Sequence, residues 1–220
     1  MEAIPSEHRL HFDLTHPETW QHIPQPAHLI WCFPAVPLGL VKLFLATRPQ
    51  RIGRLLVLGS TTAYTPDGHP ITEETPLKAH LPRVQAEEYL RVSYGAVIIR
   101  LAGLYGPGRH VLDWIRKGKI QNTKKWVNLL HVEDAAAICL QALERAPDGH
   151  TYLASDGHPR TWDEICAMAS SKWRVPIPAS ISPPHKGKQV SIHKLRTELQ
   201  YTFRFPDFFQ ALDHIEGTSA

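Results

Sequence analysis

The sequence predicts an α/β protein in which a doubly wound parallel sheet is followed by a small, mainly helical C-terminal cap. Apolar segments of strand length alternate with helical segments from residue 8 to about residue 155. The strand segments are continuously apolar, which is typical of parallel strands covered by helices on both faces. We therefore expect a core over residues 1–155 and a cap over residues 156–220 that interleaves with it.

The first elements are defined by turn and capping residues. A short strand is predicted at RLHFDL, ending at Asp13, and a helix at THPETWQHI, where Thr15 is the expected N-cap. The apolar run AHLIWCFPA predicts a strand that Pro34 stops. A helix follows in PLGLVKLFLATRP, and then a strand in LLVLGS, whose apolar residues lead into hydroxyl groups.

The later elements continue the alternation. RVQAEEYLRVS predicts a helix with Val84, Tyr89 and Val92 facing inward and Gly95 at its end. Strands are expected in AVIIRL, WVNLLHV and HTYLAS, and helices in HVLDWIRKG, EDAAAICLQALERA and TWDEICAMASSKW, the last capped by Thr161. Two short helices, SIHKLRTELQ and PDFFQALDHI, close the chain after a proline-rich stretch.

Composition argues against several classes of function. The net charge of +3 is small, and the one basic cluster, RKGKIQNTKK, is typical of a solvated surface loop rather than a nucleic-acid site. No segment is apolar enough for a membrane span, and the fourteen histidines lack metal-ligand spacing, so no metal is expected. Three cysteines without a disulfide pattern suggest buried free thiols and a cytoplasmic protein.

Any site is expected where the parallel strands end, because ligands of open α/β sheets lie at the carboxyl edge. Ser60 and Thr61 end one strand there, and they are the first candidates for catalytic groups.

Several of these segments resemble the extended or atypical short-chain dehydrogenase/reductase superfamily, among proteins similar to nucleotide-sugar epimerases and dehydratases. The resemblance rests on GSTTAY, RVQAEEYL, IIRLAGLYGPGR, LLHVEDAAAICLQAL and YLASDG, in that order. It implies a Rossmann-like sheet. Complete members begin with a strand, a GxxGxxG turn and a helix that hold the pyrophosphate of NAD(P).

That first unit has no counterpart in this sequence, since only Met1–Leu10 precede the HFDL segment and one βαβ unit takes roughly 30 residues. We therefore expect a truncated Rossmann-like core that binds no cofactor, or NAD(P) only if such a unit were restored. Asp13 resembles the acidic residue that contacts adenine in complete members, but it could equally cap the following helix.

The resemblance also shows altered catalytic positions. Ser60 stands four residues before Tyr64, as in the family, but the YxxxK pair of the next helix is replaced by Ala79 and Arg83. Alanine cannot transfer the proton of hydride chemistry, and arginine is not a base near neutral pH. His80 could titrate in this range and is a further catalytic candidate beside Arg83.

On the substrate side, the asparagine expected three residues after the strand arginine Arg100 is Gly103. This difference argues against a nucleotide sugar. Tyr64, Arg100, Tyr105 and Arg109 are candidate substrate-binding residues, and the guanidinium of Arg109 is suited to an anion or to a loop-bracing ion pair.

Two acidic residues are expected to have structural roles. Asp134 should support the N-terminus of its helix, and Glu87 should brace the sheet-facing side of its own helix.

Three functions remain open from the sequence. The chain could catalyse a non-redox isomerisation, elimination or cyclisation of a small anionic substrate. It could be a non-catalytic protein that binds a ligand or partner, or an NAD(P)-dependent epimerase or reductase whose first unit is missing.

The absent first strand would leave the strand at Ala27–Ala35 without a neighbour. We therefore also expect a homodimer through that exposed edge, or pairing of that edge with RLHFDL.

Overall fold

The computed structural model describes residues 9–24, 26–48, 52–65, 69–181 and 187–218. Its strands, in chain order, are β1 (Ala27–Trp31), β2 (Ile52–Ser60), β3 (Val97–Leu101), β4 (Gly103–Tyr105), β5 (Trp126–Val127), β6 (Leu129–His131), β7 (Thr151–Ala154) and β8 (Arg160–Thr161). Its α-helices are α1 (Leu38–Ala46), α2 (Pro82–Tyr94), α3 (Val111–Arg116), α4 (Val132–Arg145), α5 (Trp162–Trp173) and α6 (Phe208–Thr218). A 3₁₀ helix spans Pro17–His22, another spans Thr61–Ala63, and a π-helical turn spans Leu195–Leu199.

The main sheet has four parallel strands in the order β1-β2-β3-β7. Successive residues of β2 point to opposite faces, so Leu56 packs under α4 while Leu55 and Val57 pack under α1 and α2. Burial on both faces explains why the strands are continuously apolar. The predicted doubly wound, Rossmann-like α/β class is confirmed.

Two small ladders extend the carboxyl edge of this sheet. β4 runs parallel to β6, and β5 runs antiparallel to β8. The single strand predicted at WVNLLHV is therefore two short strands, separated by Asn128. The ladders bring the β5 region and the start of the cap against the ends of β2 and β3.

The N-terminal region differs from the prediction. RLHFDL forms no strand, because Phe12 instead packs its ring against Phe33 and Phe44 at 6.0 and 5.3 Å between centroids. Thr15 is not an N-cap either. Its backbone N–H donates to Asp13 Oδ1 at 2.8 Å, which closes a turn before the 3₁₀ helix.

β1 lies at one end of the described sheet, and within that part of the chain no strand pairs with its outer edge. Trp31 is covered by Phe33 and Phe44, while Phe33 itself is exposed. Closure of this edge by RLHFDL pairing is not observed. The homodimer through the edge stays a prediction.

The predicted cap shares its core with the predicted α/β core. Side chains of α5 and α6 pack with α3 and with Tyr105 and Leu129 in one hydrophobic cluster. The division at residues 155 and 156 therefore stays a prediction about sequence organisation.

Among the positions of α2 predicted to face inward, Val84 is buried as expected, but Val92 is 72% exposed, so the prediction for Val92 is wrong.

Asp134 lies in the first turn of α4, where its negative charge is favoured by the helix dipole, as predicted. It also joins the start of α4 to the C-terminal segment. Its fully buried carboxylate accepts hydrogen bonds from Tyr201 Oη at 2.7 Å, Arg204 N at 2.8 Å and Phe205 N at 3.1 Å. His131 caps α4 through Nδ1 and the N–H of Glu133.

None of the described helices is both long and apolar enough to cross a membrane. All three cysteines are free, and Cys139 and Cys166 are buried. Cys32 is exposed, which corrects the expectation that all three thiols are buried.

We predict that Asp134→Asn lowers the free energy of unfolding by about 1–3 kcal/mol, because the amide nitrogen would face a backbone N–H that it cannot satisfy. Urea denaturation measures the change. Glu133→Gln, at the exposed neighbouring position, is the matched control and should change stability by less than about 0.5 kcal/mol. Equal effects of the two substitutions would contradict the proposed anchoring role.

Candidate functional site

The hydroxyl cluster that ends β2 forms one wall of the candidate site. Ser60 Oγ accepts hydrogen bonds from the N–H of Thr62 at 3.2 Å and from its hydroxyl at 3.0 Å. These bonds cap the 3₁₀ helix Thr61–Ala63 and turn Thr61 and Thr62 towards a cleft. Ser60 thus supports this wall, whereas Thr61 and Thr62 line the cleft.

The cleft at the strand ends has a volume of about 400 Å³. Its walls combine hydroxyl, amide, aromatic and ammonium groups, the most informative being Thr61, Thr62, Lys78, Lys125, Trp126, Asn128 and Lys188. None of the described residues that line it is acidic. A cleft with three ammonium groups and no carboxylate has a positive potential and attracts anions.

Three separate segments supply the lysines. Lys78 follows the bridge between Tyr64 and Leu77, and its N–H donates to Ala63 O at 2.8 Å. Lys125 directly precedes β5, where its carbonyl accepts from Trp162 N at 3.3 Å. Backbone contacts therefore fix where the Lys78 and Lys125 side chains begin.

Lys188 reaches the cleft from the C-terminal region, because the side-chain amide of Asn128 holds its backbone. Asn128 Nδ2 donates to Lys188 O at 2.8 Å, and Asn128 Oδ1 accepts from Val190 N at 2.9 Å. On the other side of the segment, Ile71 N donates to Gln189 O at 2.8 Å. Lys188 Nζ in turn donates to the carbonyl oxygen of Thr61.

The electrostatics of the cleft are most marked at Lys188. Burial of the ammonium group, followed by repulsion from Lys78 and Lys125, lowers the pKa of Lys188 to about 8. A bound anion would offset that repulsion. The three lysines therefore form one electrostatic unit.

Tyr64 and Arg100, predicted to bind substrate, lie instead in a buried network behind this wall. Arg100 NH1 donates to Tyr64 Oη at 2.8 Å, NH2 donates to Glu88 at 2.9 Å, and Nε donates to Glu87 at 3.3 Å. Burial raises the pKa of Tyr64, and the Arg100 charge offsets part of that rise. Both side chains are almost fully buried, so we assign them to support of the site.

The same network includes Arg83, whose Nε donates to Glu87 Oε1 at 2.8 Å. Glu87 thus joins α2 to β3, as expected for a brace. Gly59 makes room for this network, since a Cβ there would lie 2.9 Å from Arg100 Cγ.

His80 is exposed in the turn before α2 and does not line the cleft. The catalytic roles of Arg83 and His80 stay predictions that their placement does not support.

Tyr105 is also buried, with its ring against His131 and Phe208, and burial raises its pKa. Its hydroxyl has no hydrogen-bond partner among the described residues. Tyr105 therefore packs against its neighbours and does not line the cleft.

Arg109 is exposed and lies near a second cavity, of about 430 Å³, which Trp114 and Lys117 help to line. Its Nε donates to Leu104 O at 3.2 Å, which braces its own loop. Asp113 also lines that cavity and pairs with Lys117 at 3.5 Å, so the positive charge there is partly neutralised. The strand-end cleft is therefore the stronger anion site.

Asp13, the candidate adenine contact, lies in the turn before the first 3₁₀ helix. Its hydrogen bonds from Thr15 lower its pKa. His16 is the N-cap of that helix and no described side chain caps it, so the prediction that Asp13 caps the helix is wrong. Within the described residues, no group of three or more His, Cys, Asp or Glu side chains is arranged to hold a metal ion.

The sequence reasoning found Thr61 but missed Lys78, Lys125, Trp126, Asn128 and Lys188. Lys125 belongs to the basic cluster RKGKIQNTKK, a pattern that by itself is typical of a solvated surface loop. No local signal pairs Asn128 with Lys188, since the two are 60 residues apart.

Comparisons with known proteins agree with this architecture. A model of the NAD dependent epimerase/dehydratase family matches residues 35–154. Protein YeeZ of Escherichia coli K12 is 28% identical over 177 aligned residues, which cover 72% of this chain and 61% of YeeZ. The chain thus spans about three fifths of the length of this curated relative.

Two solved structures are similar in fold. One is a conserved protein of unknown function from Silicibacter pomeroyi, with 24% identity, a TM-score of 0.74, and coverage of 87% of this chain and 78% of that one. The other is RMD from Pseudomonas aeruginosa in complex with NADPH, with 18% identity, a TM-score of 0.72, and coverage of 97% and 89%.

We predict that Tyr64→Phe lowers the free energy of unfolding by about 1.5–3 kcal/mol, because it removes the acceptor of a buried hydrogen bond from the Arg100 guanidinium. Chemical denaturation measures this change. Tyr94→Phe, on the exposed end of α2, should have an effect below about 0.5 kcal/mol. Unchanged stability of Tyr64→Phe, together with a loss of ligand binding, would instead support the predicted substrate contact.

Proposed function

From the premise that this chain belongs to the NAD dependent epimerase/dehydratase family, we propose that it binds a small anionic substrate in the strand-end cleft and acts on it without hydride transfer. The reaction type that fits is an isomerisation, elimination or cyclisation. The observation that carries this proposal is the convergence of Lys78, Lys125 and Lys188 on a cleft whose described lining has no carboxylate.

The substrate class follows from the charge of the cleft. Three half-buried ammonium groups repel one another, and this repulsion contributes to the lowered pKa of Lys188. A phosphate or carboxylate group would reduce it and accept hydrogen bonds from the same amines. Trp126 adds an aromatic surface for the carbon skeleton of the substrate.

The residues of the family's hydride chemistry do not fit here. Ala79 occupies the position of the proton-transferring tyrosine, and Arg83 is engaged with Glu87. We therefore derive no step through NAD(P), and weak NAD(P) binding by this chain stays a prediction.

The groups in the cleft suit proton transfer and stabilisation of negative charge. Lys188 can exchange a proton near neutral pH because its pKa is close to 8. Lys78 and Lys125 would stabilise an enolate or a departing anionic group. The hydroxyl of Thr62 lies in the same cleft and can relay a proton. A non-catalytic anion-binding role would use the same residues for binding alone.

We predict that Lys125→Glu weakens binding of inorganic pyrophosphate at least about tenfold, equivalent to roughly 1.4 kcal/mol. The substitution places a carboxylate in the cleft, where it repels the probe. Isothermal titration calorimetry measures the affinity. Lys124→Glu is the matched control, because it makes the same charge change at an adjacent exposed residue outside the cleft lining.

Comparable losses in the two variants would mean that pyrophosphate senses only the net charge of the protein. Failure of the unmodified chain to bind pyrophosphate would also contradict the proposed function.

A further inference from the structure

We propose that Lys188 is a nucleophilic amine that forms an imine with a small anionic aldehyde or ketone bound in the strand-end cleft. This inference rests on the proposed function, because Lys78 and Lys125 would hold the anionic group of that substrate. It adds the substrate's second functional group, a carbonyl, and names the atom that reacts with it, Lys188 Nζ.

The position of Lys188 is determined by its backbone on both sides of the segment. The Asn128 amide pairs with Lys188 O and Val190 N in the manner of a neighbouring strand. Ile71 pairs with the other edge, through Gln189 O at 2.8 Å and Ser191 N at 3.0 Å. A lysine on so constrained a segment loses little further backbone entropy when it reacts.

The residue before Lys188 brings this segment close to β5. Gly187 has φ of +79°, and a Cβ at this position would lie 2.6 Å from the carbonyl oxygen of Trp126. Only glycine adopts this positive φ readily and also lacks the Cβ that would collide with that oxygen. The close approach places the start of the Lys188 side chain beside Trp126 and Lys125, within the cleft.

The environment of Nζ increases the fraction of the amine that is neutral. The side chain is half-buried, Nζ donates to Thr61 O, and the charged groups that bear on it are Lys78 and Lys125. With a pKa of about 8, about one amine in ten is neutral at pH 7, against about one in 2,500 for an ordinary lysine. Nucleophilic lysines are commonly activated by such desolvation and neighbouring cations.

The reaction balances without an oxidant or reductant. The lone pair of neutral Nζ attacks the carbonyl carbon, and the carbonyl π electrons become an alkoxide. One of the two protons on the nitrogen, which is now positively charged, moves to the alkoxide and gives a neutral carbinolamine. The second nitrogen proton then goes to the hydroxyl group, which leaves as water while the nitrogen lone pair forms the C=N bond. The Thr62 hydroxyl lies in the cleft and can carry these protons. Protonated imines acidify the adjacent C–H bond, which serves isomerisation and elimination.

The test uses pyridoxal phosphate, an anionic aldehyde, with sodium borohydride to reduce any imine to a stable secondary amine. Peptide mass spectrometry then locates the modified lysine in the full chain. We expect Lys188 to be labelled at least about tenfold more than Lys124 at pH 7, because far more of its amine is neutral. Inorganic pyrophosphate should suppress labelling at Lys188 and leave Lys124 unchanged.

Lys188→Arg keeps a positive charge in the cleft but cannot form the imine, so it should lose the dominant adduct while labelling at Lys124 stays the same. Thermal unfolding confirms that this variant is folded. Lys124→Arg, the same exchange at an exposed lysine outside the cleft lining, should retain labelling at Lys188.

The outcomes separate the two proposals. Pyrophosphate binding without preferential labelling of Lys188 would overturn the imine and leave the proposed function intact. A dominant adduct at Lys78 or Lys125 would also overturn the role of Lys188. Absence of pyrophosphate binding to the unmodified chain would overturn the proposed function, and this inference with it.

Discussion

The site depends on one side chain, the amide of Asn128, which substitutes for a strand partner. It lies between β5 and β6, almost fully buried, and pairs with both the carbonyl of Lys188 and the N–H of Val190. An amide is suited to this because it offers one donor and one acceptor in a plane, as a peptide group does. The contact holds the segment that contains Lys188 and Val190, which lies far along the chain from Asn128, at the carboxyl edge of the sheet. Without it, the cleft would lack the amine of Lys188.

A second constraint lies behind the cleft wall. It engages Arg83, predicted to be catalytic, and Tyr64 and Arg100, predicted to bind substrate. Arg100 is buried against Glu87 and Tyr64, and Glu87 also binds Arg83. Removing one partner of such a network leaves a buried charge unpaired, so its members are interdependent. The network fixes α2 against β3 and leaves the surface of the site to residues of the loops. The chemistry of the cleft is therefore that of lysine and hydroxyl groups, supported by buried ion pairs.

The sequence predicts the sheet well, since continuous apolar strands such as Val97–Leu101 must be covered on both faces. It also identifies the hydroxyl groups at the end of β2, because a strand of a parallel sheet has to end at the ligand edge. The strand predicted at RLHFDL does not form. The ring of Phe12 packs against other aromatic rings, and this packing needs no backbone pairing. Lys125 and Lys188 could not be recognised, because their roles arise from tertiary contacts across long chain separations. A lysine in a basic or proline-rich stretch has no local signal that separates a solvated side chain from one that lines a cleft.

Titration of Lys188 itself shows whether the three lysines form one electrostatic unit for an anion. NMR of protein labelled with ¹³C at the lysine Cε, compared with Lys188→Arg to assign the resonance, measures the pKa of this amine. We expect one lysine with a pKa of about 8, and a rise of that pKa when inorganic pyrophosphate binds. Titration of Lys188 near 10.4, the value of a solvated lysine, with no response to pyrophosphate, would contradict this expectation.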